Sequence, residues 1–341
     1  MELYTRILGK SNIKVSAMGM GCWAIGGPFK TEDGHLLAYG NVKDQESINT
    51  IHKALELGVN IFDTAEAYGN GHSEEVLGQA LKDSRDDVVI ATKFRSIYDP
   101  KTQTNVDRTV ILEKLRKAVN NSLKRLQTDY IDIYQLHNAR QDSVSVLLIR
   151  DCLEELVDEG KISYYGWSTD DASRAEQFAE GKHCTAIQYI LTITRINTSI
   201  AKLCEDNNLA GIIRSPFASG TLTGKYTKDT KRNPDHMLSK TDFSTERYTK
   251  TFKALDQLKE LLVEQGRTLV QGILGYIWAK NDRAIPIPGA KTVQQITENA
   301  KTLEFGPIPQ HLMREIDSIF SELQVDFSYD NFDYYKQDKK D

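Results

Sequence analysis

Short apolar runs recur along this chain, each followed by a loop and an amphipathic segment, in units of about 30 to 40 residues. That alternation constrains the fold more than any other feature, because strands joined by helical crossovers assemble as a parallel sheet. Eight runs stand out: residues 15–21, 59–63 (VNIFD), 88–93 (VVIATK), 130–136 (YIDIYQL), 162–168 (ISYYGWS), 184–189, 210–215 (AGIIRS) and 284–288 (AIPIP). Between them, Ile111, Leu115, Val119, Leu123 and Leu126 recur at helical spacing, as do Leu148, Cys152, Leu153, Leu156 and Val157. Glu159-Gly160-Lys161 then reads as a helix stop before the next strand.

Eight strands alternating with helices predict an α/β fold, a (β/α)8 TIM barrel. A minimal barrel takes about 250 residues, so a chain of 341 leaves roughly 90 for ends, extra helices and long loops at the C-terminal face. Residues 4–15, with the turn Leu8-Gly9-Lys10-Ser11-Asn12, predict an N-terminal β-hairpin. Residues 29–45 and 227–248 predict long loops after the first and seventh strands. From Val325 onward, Phe327, Tyr329, Phe332, Tyr334 and Tyr335 mark an aromatic C-terminal tail (325–341). No linker divides the sequence, so 1–341 is expected to form a single barrel domain. A doubly wound dinucleotide fold is the rival, and Gly19-Met20-Gly21-Cys22-Trp23-Ala24 matches its G-x-G-x-x-A fingerprint. The fingerprint works only where a helix starts at the turn, and Ile25-Gly26-Gly27-Pro28 follows instead.

Composition narrows the function. Lys plus Arg number 43 against 48 Asp plus Glu, a net charge of −5, which argues against a nucleic-acid face or an anionic-membrane anchor. No apolar run is long enough to span a bilayer, and MELYTRILGK has no signal-peptide pattern. Cys22, Cys152, Cys184 and Cys204 form no CxxC pair and read as reduced thiols, too dispersed among the histidines for a zinc site. A metal-free cytoplasmic protein is expected.

Active sites in such barrels lie at the C-terminal ends of the strands. The second strand ends FDTAEAYG, giving Asp63 and Tyr68; the third ends ATKF, giving Lys93; the fourth ends YQLHN, giving Gln135 and His137. Taken singly, an Asp caps a turn, a Tyr packs on a surface and a His satisfies a structural bond. Lys93, inside an apolar strand, demands an anion, and Asp63 on the adjacent strand answers it. Together at a barrel mouth the group suits carbonyl reduction. A phenol is a poor acid at neutral pH, an ammonium beside it stabilises its anion, and an imidazole can hold the carbonyl oxygen. The hydride must come from a cofactor.

These motifs carry a resemblance. From RILGKSNIKVSAMGMGCW through FDTAEAYG, ATKF, YQLHN, YYGWST, SPFASGTLTGKY and IPGAKTVQQITEN, the chain resembles an aldo-keto reductase over essentially its whole length. The resemblance implies a catalytic tetrad of Asp63, Tyr68, Lys93 and His137, and NADPH (NADP+) bound without metal. It implies a nicotinamide carboxamide held by Ser168 and Gln188, with Thr169 standing where the family commonly has Asn. Arg214 stands where many members have an aromatic that stacks on the nicotinamide. A cation there is expected to favour reduced over oxidised cofactor. Ser215, Pro216, Phe217, Gly220, Leu222 and Lys225 match the pyrophosphate-wrapping loop. Gly289 and Lys291 match the 2′-phosphate region, and Gln295, Glu298 and Asn299 the adenine and ribose contacts. Thr292 with Gln295 also reads as a capping box. Trp23 and Asn138, with the 29–45 loop and the tail, are substrate-pocket candidates. Two other functions stay open: a redox-sensing regulatory subunit like potassium-channel β subunits, and an aldolase or isomerase using Lys93 as a Schiff-base amine. Asp63 opposes the latter by keeping that amine charged.

Overall fold

The structure is a computed structural model, and it describes residues 3–30, 36–37, 39–95, 107–137, 143–234 and 236–322. Asn138 and the tail from 325 lie outside the described residues. Thr5–Ile7 (β1) and Lys14–Ser16 (β2) form the N-terminal hairpin, and Met20–Gly21 (β3) enters the main sheet. A two-stranded ribbon, Phe29–Lys30 (β4) with Leu36–Leu37 (β5), sits in the first long loop. The sheet continues through Ile61–Asp63 (β6), Val89–Phe94 (β7), Ile131–Leu136 (β8), Ile162–Ser168 (β9), Cys184–Ile190 (β10), Ala210–Arg214 (β11) and Ala284–Pro286 (β12). Its eight strands are parallel neighbours in the order β12-β11-β10-β9-β8-β7-β6-β3. Gly19 and Gly21 donate backbone N–H groups to Pro286 and Pro288 at 2.9 and 3.0 Å, and Gly21 bridges Gly289, so first and last strands meet as in a (β/α)8 barrel.

The helices follow the strands: Asp44–Glu56 (α1), His72–Leu81 (α2), Arg108–Leu126 (α3), Ser143–Asp158 (α4), Ala172–Ala179 (α5), Thr198–Asp206 (α6), Glu246–Leu262 (α7), Leu269–Lys280 (α8) and Val293–Ala300 (α9). Thr302–Phe305 (α10) and Gln310–Glu322 (α11) come last. Their starts are set locally. Asp107, Asp171, Asn197, Thr268 and Thr292 each accept a backbone N–H from the first turn of the helix they precede, relieving a donor with no helical partner. Gly160 adopts φ +71° after α4, at the expected stop. Among the described residues no helix is long and apolar enough to cross a membrane, and all four cysteines are buried and unpaired.

One expectation differs in detail. The apolar run 15–21 serves two sheets rather than one strand, because Ser16 and Asn60 exchange hydrogen bonds at 2.7 and 3.1 Å where the chain leaves the hairpin. Only Met20 and Gly21 then pair with β6.

Alternation along the strands separates two cores. Phe62, Ile90, Phe94, Tyr134, Leu136, Ile187 and Ile213 face the helices. Val89, Ala91, Ile133, Ala186, Ile212 and Ile285 fill the lumen together with Leu8 and Val15 of the hairpin. Each fully buried aliphatic side chain contributes about 1.5–3 kcal/mol. The hairpin turn plugs the N-terminal end: Thr185 Oγ1 donates to Leu8 O at 2.7 Å, and Lys10 Nζ donates to Ala179 O and Gly181 O at 3.0 and 3.1 Å. Gly9 there has φ +51°, and a Cβ on it would lie 2.2 Å from Thr185 O, so no larger residue fits without moving the plug.

Candidate active site

The lumen-facing positions turn from apolar to polar toward the C-terminal ends of the strands. Ile61 is followed by Asp63, Val89 and Ala91 by Lys93, Ile133 by Gln135, Ala186 by Gln188, and Ala210 and Ile212 by Arg214. A period of two therefore brings five polar side chains to one end of the barrel.

Lys93 is the centre. Its side chain is fully buried, and its ammonium donates to Asp63 Oδ1 at 2.5 Å, Thr64 O at 2.8 Å and Tyr68 Oη at 3.1 Å. Asp63 Oδ2 accepts from the side-chain amides of Gln188 at 2.7 Å and Gln135 at 3.2 Å, and Gln188 Nε2 also reaches Gln135 Oε1 at 3.3 Å. The buried carboxylate thus has donors on both oxygens, the condition under which a buried ion pair is tolerated. Burial alone would lower the Lys93 pKa, but Asp63 and Tyr68 outweigh it and hold the amine charged, above its ordinary range.

Tyr68 comes from the turn after β6. Its phenol is raised above its ordinary pKa: burial dominates, and the Lys93 ammonium offsets only part. The sequence alone suggests that Lys93 lowers it; the enclosure reverses the net direction. The turn is fixed by Gly69, φ +61°, where a Cβ would meet Gly26 O at 1.9 Å. His137 follows β8, its backbone N–H donating to Phe94 O at 2.8 Å and its ring 5.9 Å edge-on from Tyr68. Burial, then the Lys93 charge, pushes its pKa down to about 3, so it is neutral at physiological pH. Tyr68 and His137 both remain partly exposed toward the mouth.

Aromatic contacts continue outward. Trp23 stacks on Tyr68 at 6.1 Å, Tyr39 meets Trp23 edge-on at 5.4 Å, and His236 meets Tyr39 at 5.4 Å. Trp23 is half-buried at the mouth, whereas Trp167 is wholly in the helix-facing core. Lys291 Nζ donates to Tyr39 O and Asn41 O, both at 3.0 Å, tying the loop before α1 to the start of α9.

The remaining sequence candidates fall around this mouth in different states. Ser168 and Thr169 are buried at the end of β9, with Thr169 Oγ1 accepting from Asp171 N at 3.2 Å. Gln188 donates its amide to the Asp63 network, as above. Ser215, Ala218 and Ser219 all have positive φ (53°, 46°, 57°), followed by Gly220 at 90°, a strained turn flanking Pro216 and Phe217. The Leu222 side chain is fully buried in the core, and Lys225 is exposed. Gly289 is exposed, and a Cβ on it would meet Gly21 O at 3.8 Å, ordinary contact without a clash. Gln295 is not a full capping box with Thr292. Thr292 Oγ1 does accept from Gln295 N at 3.3 Å, but Gln295 Oε1 takes the Lys291 N–H at 2.8 Å instead of the Thr292 one. Glu298 O accepts from Gln271 Nε2 at 3.0 Å, and Asn299 is buried on the same helix. Thr64, whose carbonyl holds Lys93, and Asp170, which pairs with Arg214, were not legible as site residues. Both act through groups on strands remote in sequence.

The barrel with this buried lysine–carboxylate–phenol group agrees with the comparisons. The family model described as "Aldo/keto reductase family" matches residues 17–321. The aldo-keto reductase YhdN of Bacillus subtilis is 32% identical over 302 residues, 86% of each chain. The NADH-specific methylglyoxal reductase of Escherichia coli is 30% identical over 329 residues, 91% of this chain and 97% of that protein. Among solved structures, the glycerol dehydrogenase AKR11B4 from Gluconobacter oxydans superposes with a TM-score of 0.76 at 26% identity, covering 94% of this chain and 96% of that one. On sequence, on fold and on the order of its strand-end motifs, the chain belongs to the aldo/keto reductase family of oxidoreductases.

Proposed function

We propose that this protein reduces an aldehyde or ketone to an alcohol with NADPH, and that Tyr68 supplies the proton. The observation that carries this reading is the Tyr68 hydroxyl, 3.1 Å from a fully buried Lys93 ammonium that is itself fixed on Asp63, with the phenol ring partly open to the mouth. The raised pKa of Tyr68 keeps its proton at neutral pH, ready for an alkoxide oxygen as it forms. Lys93 stabilises the phenolate left behind, and Asp63 holds Lys93 in place and charged. His137, neutral, can donate one N–H to the carbonyl oxygen without competing as a proton source. The same raised Lys93 pKa opposes a Schiff-base role, which needs a neutral amine.

A nicotinamide dinucleotide, when bound, supplies the hydride. The residues present fit it: a partly exposed Arg214 at the end of β11, the strained 215–220 turn that follows it and the exposed Gly289 just beyond β12. Ser168, Thr169, Gln188 and Arg214 would hold the nicotinamide end. Ser215, Pro216, Phe217, Gly220, Leu222 and Lys225 would take the pyrophosphate, and Gly289, Lys291, Gln295, Glu298 and Asn299 the adenosine end. Lys291, with two of its three ammonium donors on the Tyr39 and Asn41 carbonyls, would give a 2′-phosphate its cation through the third. Trp23 would wall the substrate pocket.

The test is titration with NADPH and NADH by quenching of intrinsic fluorescence, then a panel of aldehydes and ketones. Tight NADPH binding with turnover is expected. Tyr68→Phe should lose about 10²- to 10⁴-fold in kcat while still binding cofactor; retained turnover removes Tyr68 as the acid. Lys291→Ala should weaken NADPH more than NADH, and an unchanged preference removes Lys291 from the phosphate site.

A further inference from the structure

Arg214 ends β11 at a lumen-facing position, paired in register with Ile190 of β10. Its guanidinium forms an ion pair with Asp170, whose side chain is 5% exposed while that of Arg214 is 31% exposed. Asp170 is pinned on three sides. Its Oδ1 accepts from Ile190 N at 2.7 Å, its Oδ2 from Arg214, and its backbone carbonyl from Asn197 Nδ2 at 2.8 Å. Asn197 in turn caps α6, accepting from Ile200 N at 3.1 Å. A buried carboxylate with so many bonds is not a flexible counter-ion. It holds a planar cation in one orientation, with its remaining surface open to the mouth.

The charge of Arg214 matters at that place, because Tyr68 and His137 both feel it. Any ring lying against Tyr68 and His137 therefore lies in the field of Arg214. An unpaired guanidinium would repel an oxidised, cationic nicotinamide and leave the neutral reduced form unaffected. Asp170, behind the guanidinium and nearly fully buried, offsets part of that charge, and the rest is still felt at Tyr68 and His137.

We infer that Asp170 is a positioning residue: it orients the Arg214 guanidinium at the reacting end of the mouth and offsets part of its charge, so that the site discriminates against oxidised nicotinamide less than an unpaired arginine would. This rests on the dinucleotide reading of the mouth proposed above, and it moderates the expectation that Arg214 alone favours the reduced form.

The test is separate titration of NADP+ and NADPH into the full chain by quenching of tryptophan fluorescence, for wild type, Asp170→Asn, Asp170→Glu and Arg214→Gln. Asp170→Asn retains an oxygen for the Ile190 N–H but leaves Arg214 unopposed. The ratio of the NADP+ to the NADPH dissociation constant should rise about tenfold, the order expected for one screened charge a few ångströms away. Asp170→Glu, which keeps the charge, should restore most of the wild-type ratio. Arg214→Gln, which leaves Asp170 unopposed, should move the ratio the opposite way and keeps the proposal falsifiable if Asp170→Asn does not fold. Equal weakening of both forms in Asp170→Asn, or an unchanged ratio, overturns the proposal and leaves the dinucleotide reading standing. Wild type binding neither form overturns the reading, and the proposal with it.

Discussion

The two ends of the barrel each hold a lysine, and they hold it differently. At the base, Lys10 is half-buried and donates to two backbone carbonyls, those of Ala179 and Gly181. At the mouth, Lys93 is fully buried and donates to a carboxylate, a carbonyl and a phenol. The base cation closes a plug and keeps contact with water. The mouth cation has no access to water, and two of its three partners, the carboxylate and the phenol, carry a charge or a proton that can be used. Burial of a charge is costly wherever it occurs. The mouth accepts that cost at the place where the candidate chemistry lies, and the base avoids it.

Swapping the two lysines for an isosteric apolar residue puts that contrast to its hardest test. Lys93→Met should destabilise the chain by about 3–5 kcal/mol in urea unfolding, because Asp63 is left buried and uncompensated. It should also remove most carbonyl reduction. Lys10→Met should cost about 1 kcal/mol and leave turnover per folded molecule intact. Comparable losses from the two variants would erase the distinction. Gly9→Ala sharpens it from the other side. The strained φ and the clash with Thr185 O should cost about 1–3 kcal/mol, read in Tm, with kcat unchanged. A kcat that falls with stability would mean that the plug reaches the mouth.

A further contrast concerns pH. The pKa of His137 falls from an ordinary 6.5 to about 3 on folding. Below pH 6.5 the unfolded chain takes up a proton that the folded chain refuses, so this residue withdraws stability as pH falls from 6.5 toward 3. His137→Gln should flatten unfolding free energy against pH across that window. The wild-type rate should show no acidic limb near 6.5 from this residue. A wild-type limb at 6.5 that the variant abolishes would show that the imidazole titrates at its ordinary value and is not depressed by the site.

Much of the mouth was legible in the sequence, for one reason. An ionisable residue inside an apolar strand, such as Lys93 in VVIATK, announces a partner, and the period of two places Asp63 at the same end of the barrel. What escaped depends on enclosure or on neighbours far along the chain. The net upward shift of Tyr68 comes from burial that no local pattern reports. The two amides on Asp63 come from strands 72 and 125 residues away. Asp170 precedes Asp171, which caps α5, so the pair reads locally as a helix start. The hairpin was readable from its turn residues, but the splitting of the run 15–21 between two sheets depended on Asn60, 44 residues on.

The contact between Gly26 and Gly69 has an engineering meaning. The turn that carries Trp23 and the turn that carries Tyr68 touch backbone to backbone, with no side chain between them to absorb a change. Rebuilding the Trp23 turn to widen the proposed pocket would therefore drag the phenol with it and detune the proton delivery proposed for Tyr68.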